Sequence, residues 1–208
     1  MKFYLTKTPR IIQKVFKNYT WRFSSQKKEI FLTFDDGPTP NVTNWTLDVL
    51  NQYNAKATFF CIGKNVISEI DTYNRILKEN HQVGNHTQNH KNGFKTKLKP
   101  YIKNILLAES HLKNSSKLFR PPYGRIRNKQ AHKIISLGYK IIMWDVLSAD
   151  FDQSISKEKC LENVLKNTKA GSIIVFHDSI KASEKLKYVL PKVLEFYSKK
   201  GYSFKAIT

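Results

Sequence analysis

From Glu29 onward, short runs of β-branched and aromatic residues alternate with longer stretches whose apolar positions recur at helical spacing. Strands are expected at 30–34, 57–61, 82–85, 118–120, 140–145, 172–176 and 204–207, and helices at 41–53, 66–80, 97–115, 128–137, 157–167 and 181–199. Start and stop chemistry falls where the period changes: Pro40-Asn41 precedes the first helix, Gly138 follows Leu137, and Lys199, Lys200 and Gly201 close the last helix. Repeated strand-then-helix units predict an α/β fold on a parallel sheet.

Periodicity does not separate an open sheet from a closed one. The placement of polar residues does. Asp35 and Asp36 follow the first strand, His86 the third, Arg120 and Tyr123 the fourth; Asp150 lies beyond the fifth, and His177 and Asp178 end the sixth. In a barrel all these strand ends converge on one face, whereas an open sheet spreads them along a crevice. A distorted (β/α) barrel of seven or eight parallel strands is therefore expected as a single domain over 29–208. Residues 1–28 form a short basic lead. Within it Ile11, Ile12, Val15 and Phe16 share a helical face opposite Lys14 and Lys17. That face is expected to pack on the domain, with a membrane surface as the alternative.

Composition narrows the class. At 208 residues, 40% hydrophobic and 25% charged, the chain can bury a core and is neither disordered nor an integral membrane protein. Thirty-six Lys and Arg against sixteen Asp and Glu give +20. Only six of these cations are Arg, the side chain favoured for base and phosphate recognition, and the Lys are dispersed. No specific nucleic-acid partner is expected; the charge implies non-specific attraction to anionic envelope polymers. Cys61 and Cys160 match no disulfide framework or zinc spacing. Neither an apolar signal core of roughly 7–15 residues nor a span of about 18 is visible. The expected compartment is thus the cytoplasm, with envelope association as the alternative.

In FLTFDDGPTP an apolar strand stops at two carboxylates and a Gly-Pro turn. Asp-Gly-Pro is ordinary turn chemistry, but adjacent carboxylates repel, and a cation between them would justify the pair. His86-Thr-Gln-Asn-His90 sets two imidazoles four apart, which a helical turn or tight loop brings to one side. Two His and one carboxylate make an open ligand set for a divalent ion such as zinc. Arg120-Pro-Pro-Tyr-Gly fixes the backbone; it reads equally as a plain proline-rich turn or as one that would aim Arg120 at a carboxylate and present an N–H near Tyr123 to a developing oxyanion. His81, His111 and His132 lack such company and read as structural or surface residues.

FLTFDDGP, His86-Thr-Gln-Asn-His90, Arg120-Pro-Pro-Tyr, Trp144-Asp-Val-Leu-Ser-Ala-Asp150 and Ile-Ile-Val-Phe-His177-Asp resemble, in order and spacing, the five motifs of the polysaccharide deacetylases with a NodB-homology domain. The resemblance covers about 29–208 and implies a distorted (β/α) barrel. It also implies that Asp35 is the general base, that Asp36, His86 and His90 hold a divalent metal, most simply Zn²⁺ with Co²⁺ as an alternative, and that His177 is the general acid. Arg120 should pair with Asp35, and Asp150 with His177. Phe151 stands where the family commonly has Trp, and Val175 where it has Leu, so the pocket for an acetyl methyl stays apolar with an altered shape. Tyr123, Trp144 and Trp45 are candidate sugar-stacking rings. The expected activity is a monomer's hydrolysis of the acetamide of N-acetylglucosamine-type units, in chitin-like oligomers or cell-wall glycan. De-O-acetylation, glycoside cleavage by two carboxylates and a non-catalytic anionic-polymer-binding barrel are the alternatives.

Overall fold

A computed structural model describes residues 4–24, 26–113 and 116–208. Among them eight short strands, all paired in parallel, form a curled sheet: β1 (Glu29–Asp35), β2 (Ala57–Cys61), β3 (Gln82–Asn85), β4 (Leu118–Phe119), β5 (Lys140–Ile141), β6 (Val146–Leu147), β7 (Ile173–His177) and β8 (Ser203–Phe204). The order is β5-β4-β3-β2-β1-β7-β6, with β8 beside the start of β1. This is the distorted (β/α) barrel expected from the sequence, and β1 at its centre is buried on both faces.

Alternation along β1 divides the core. Ile30, Leu32 and Phe34 point outward into a cluster under α2 (Val42–Gln52), α4 (Ile70–Lys78), α7 (Lys157–Asn167) and α8 (Ser183–Lys199). Phe31 points inward with Phe60, Leu118, Ile142, Ile173 and Ile207, filling the barrel. A third cluster, around Tyr101, Ile105, Ile134 and Trp21, lies under α5 (Leu98–Glu109) and α6 (Asn128–Ser136).

Three elements differ from the pattern. The expected strand at 140–145 is strand only at its start, as β5, which pairs with β4; β6, which pairs with β7, begins at Val146, and the chain changes partner between them. Alternation reports burial, which is continuous there, and not the partner. The expected helix at 66–80 is α3 (Gly63–Ser68) and α4, separated at Glu69 by a non-helical backbone that no Gly or Pro announces. The expected helix at 97–115 ends at Glu109, and 114–115 lie outside the described residues.

The N-terminal segment fills the gap between β5 and β6. Thr20 N–H donates to Ile141 O and Met143 N–H to Thr20 O, at 2.8 Å each; Thr8 N–H donates to Asp145 O at 3.0 Å and Leu147 N–H to Thr6 O at 2.9 Å. Lys7 Nζ donates to buried Asp145 at 2.6 Å, and Trp21 is 8% exposed. Backbone groups that a neighbouring strand would satisfy are satisfied by this segment. Its short helix, α1 (Arg10–Val15), rests on the third cluster through Ile12, while Ile11, Val15 and Phe16 are exposed.

Candidate active site

The inward-facing ends of the strands meet at one mouth. Along β1, Phe31, Thr33 and Asp35 face the interior, and along β7, Ile173, Val175 and His177 do so in register with them. Asp35 is the last residue of β1. Its Oδ1 accepts a hydrogen bond from Arg120 Nη1 at 2.7 Å. Arg120 is fully buried, and its guanidinium is satisfied throughout: Nη1 also donates to Thr33 Oγ1, Nε to Ile142 O and Nη2 to Met143 O, with the Phe60 ring 4.1 Å below. A buried cation is tolerated here because its counter-charge and acceptors are all present. Arg120 therefore fixes the orientation of the Asp35 carboxylate.

Asp36 turns away. Its φ of 82° lies in the left-handed region, so the chain reverses immediately after β1 and both carboxylates reach the same mouth. Across the turn, Asp178 Oδ1 accepts from Gly37 N–H at 3.0 Å and Oδ2 from Thr43 Oγ1 at 2.5 Å, while Thr43 Oγ1 accepts from Thr39 N–H. A Cβ on Gly37 would sit 2.0 Å from Asp178 Oδ2, so only glycine admits this approach. Burial, Asp36 and the loss of solvent push the Asp178 carboxyl up to about 7, although these hydrogen bonds oppose the shift.

His86 and His90 belong to a loop, with Thr87 and His90 at positive φ. Their rings are 5.1 Å apart, and Nε2 of each faces Asp36 Oδ1 at 3.7 and 3.2 Å. His86 Nδ1–H donates to Arg120 O at 2.8 Å, which leaves Nε2 as a lone pair. Burial lowers the His86 pKa to about 4 and keeps the ring neutral. Burial alone would raise the Asp36 pKa, but His90, His177 and His86 hold it well below the usual carboxylate range. Asp36 Oδ1 is itself buried without a hydrogen-bond donor, and ligand atoms of the three residues lie within 4.8 Å of one another. Three converging acceptors with no proton between two of them fit a divalent cation, and this donor set suits zinc.

Opposite stands His177. Its Nδ1–H donates to Asp150 Oδ1 and its backbone N–H to Asp150 Oδ2, both at 2.8 Å. Burial acts to lower its pKa, yet the Asp150 charge and hydrogen bond, with Asp36 and Asp35 beyond, raise it to about 9. His177 is an imidazolium at neutral pH, and Asp150, fully buried, fixes its tautomer. Phe151 packs edge-on against the His177 ring at 5.0 Å.

Tyr123, at φ 61° in the turn Pro122–Gly124, is 61% exposed and leans on His90 at 4.5 Å. Trp144 is partly buried beneath that turn, where a Cβ on Gly124 would meet its ring. Val175 is 1% exposed, one inward step below His177. Trp45 packs on the outer core under α2, away from the mouth. A groove of about 480 Å³ opens beside Asp36 and His90, with Asn65, Ile180 and Lys181 on its walls.

The comparisons with known proteins fall on this geometry. The family model described as polysaccharide deacetylase matches residues 23–142. The chain belongs to the polysaccharide deacetylases with NodB homology. A peptidoglycan-N-acetylglucosamine deacetylase of Bacillus cereus is 34% identical over 193 residues, 91% of each chain. A peptidoglycan-N-acetylmuramic acid deacetylase of Bacillus subtilis, PdaC, is 34% identical over 76% of this chain and 34% of its own length. Among solved structures, a peptidoglycan N-acetylglucosamine deacetylase in complex with a naphthalenyl N-oxidanyl-benzamide superposes with a TM-score of 0.87 at 32% identity, covering 96% of this chain and 95% of the other.

Sequence reasoning missed the supports of this site. Thr33 and Phe60 hold Arg120, and Asp178 and Thr43 hold the Asp36 turn. For Asp178 the signal was present, as a second carboxylate beside a strand-end His. For Thr33 and Phe60 it was the inward phase of β1 and β2.

Proposed function

We propose that this protein hydrolyses the acetamide of N-acetylglucosamine-type units in a glycan of the cell wall, with a divalent metal, most simply Zn²⁺, held by Asp36, His86 and His90. One observation carries the reading: a carboxylate fixed by Arg120 and an imidazolium fixed by Asp150 stand on either side of one Asp-His-His cluster. The relatives named as acting on peptidoglycan support the substrate class.

Bound at that cluster, a divalent ion supplies a Lewis acid for the acetyl carbonyl and lowers the pKa of water. Asp35 is the general base that accepts a proton from the attacking water, and Arg120 holds its carboxylate through Oδ1. The Tyr123 backbone N–H is the donor assigned to the developing oxyanion. His177 donates its Nε2 proton to the departing nitrogen, which leaves as the free amine, and acetate is the second product. Asp150 keeps the Nδ1 proton in place, so only Nε2 exchanges. The Tyr123 ring supplies an exposed platform for a sugar face, with Trp144 beneath its turn, and Phe151 supplies apolar surface beside His177, whereas Val175, expected to line the pocket, is buried beneath it.

The test is acetate release from N-acetylglucosamine oligomers and from peptidoglycan. A chelator should abolish release, Zn²⁺ or Co²⁺ should restore it, and Asp35→Asn should lower kcat by about 10²-fold or more. Unchanged activity in His86→Ala would remove the metal assignment. New reducing ends without acetate would overturn deacetylation itself.

A further inference from the structure

We propose that the side of the barrel built by α5 and α6 is a docking surface for an anionic lipid bilayer. Charge is concentrated there. Residues 91–140 contain ten Lys and three Arg against a single carboxylate, Glu109, so this quarter of the sequence carries most of the net +20. Arg120 faces the barrel interior, and Glu109 is engaged by Lys117, so neither changes the sign of the outer wall.

The same wall is apolar where a soluble enzyme gains nothing from it. Leu106 and Leu107 are 42% and 46% exposed on α5. With Ile102 they line an open groove of about 590 Å³, edged by Lys99, Lys103 and Lys133. Among the described residues no carboxylate pairs with these three lysines. Exposed leucines set among unpaired lysines match an interfacial surface: the leucines enter the acyl boundary while Lys stems extend their charges to the headgroups. α1 rests on the same underlying cluster through Ile12 and repeats the pattern, with Ile11 and Val15 exposed beside Arg10 and Lys14. A polyanion such as nucleic acid is attracted by the lysines but has no use for the leucines, and the preference for Lys over Arg argues further against it. The helices form the wall of the barrel, whereas the Asp36 cluster lies at its mouth, so docking by this side leaves the site open. The surface is independent of the proposed reaction and its test needs no glycan.

Full-length protein is sedimented with vesicles of phosphatidylcholine alone or with 30% phosphatidylglycerol, at about 0.15 M salt. Binding is expected only with the anionic lipid. Lys99→Gln/Lys103→Gln/Lys133→Gln should weaken partitioning by about 100-fold, and Leu106→Ser/Leu107→Ser, at unchanged charge, by about 10-fold. Removing the same number of charges from α8, as Lys187→Gln/Lys192→Gln/Lys199→Gln, should change it by less than about 3-fold, because those lysines lie on the other wall. Circular dichroism establishes that each variant is folded. No preference for anionic vesicles overturns the proposal. Equal losses in the α5–α6 and α8 lysine sets also overturn it, leaving only whole-molecule charge. Loss with the lysines but not with the leucines overturns the docking proposed here, because the groove leucines would then not enter the bilayer and only headgroup attraction would remain.

Discussion

Two residues of this site, Asp35 and His177, depend on two others that touch no reacting atom. Arg120 holds Asp35, and Asp150 holds His177. The second pair makes a quantitative prediction. Burial alone would push the His177 pKa below 6.5, and Asp150 is the main reason that it stands near 9. Asp150→Asn keeps the shape and removes the charge, so the His177 pKa should fall, with Asp36 and Asp35 left as its acidic neighbours. A general acid must be protonated, so the alkaline limb of kcat/KM should move to lower pH in the variant, with little change in KM. A pH–rate profile, with an NMR titration of the His177 ring, measures both. An alkaline limb that does not move would mean that Asp150 does not set the acid. Gly37 makes the corresponding steric point. Gly37→Ala drives a methyl into Asp178, a carboxylate already committed to Gly37 and Thr43. The cost should be about 2–3 kcal/mol, or a Tm lower by roughly 5–10 °C, read by thermal unfolding.

At the scale of elements, the motifs were legible because catalysis requires particular side chains at strand ends, and strand ends are where hydrophobic runs stop. Asp35, Arg120 and His177 each follow such a run directly, whereas His86 follows the short β3, Gln82–Asn85, and is marked by its spacing to His90. What was not legible is pairing. The run at 140–145 reads as one strand although β5 ends at Ile141 and pairing with β7 comes only with β6, since side-chain burial runs on past the point where the hydrogen-bond partner changes. The N-terminal residues read as a lead because their role is backbone pairing, which leaves no periodic signal. Yet they bear on the chemistry. Thr20 ties down Ile141 and Met143, and the Ile142 and Met143 carbonyls are two of the acceptors that seat Arg120. Trp21→Ala should therefore do more than open a cavity. It should cost about 3 kcal/mol of stability and also lower kcat through a loosened Arg120–Asp35 pair, whereas Phe16→Ala, at an exposed position of the same segment, should change neither. Parallel thermal unfolding and acetate release separate the two effects.

Over the whole molecule, buried titratable groups set opposing pH dependences for the metal-free protein. His81 and His86 are pushed by burial to about 4, below their unfolded value of 6.5, so folding stability is lost as pH falls from 6.5 towards 4. Asp36, with its pKa held low, acts in the same direction at more acid pH. Asp178 opposes them: raised from 3.8 to about 7, it favours the folded state at low pH and withdraws that support as pH rises. Two histidines against one carboxyl, with shifts of similar size, leave a net gain in stability up to pH 6.5. Above it His177 dominates, because a pKa raised from 6.5 to about 9 gives stability that is complete below 6.5 and is lost as pH rises through 9. Each of these shifts corresponds to roughly 3–4 kcal/mol at most, so the limbs should be visible in Tm. Chelated protein should show a maximum near pH 6.5–7 and fall on both sides. In Asp150→Asn the His177 contribution shrinks, and the alkaline fall should become shallower while the acid limb remains. A flat profile from pH 6.5 to 9 in the parent would show that the His177–Asp150 pair does not carry this charge in the folded state.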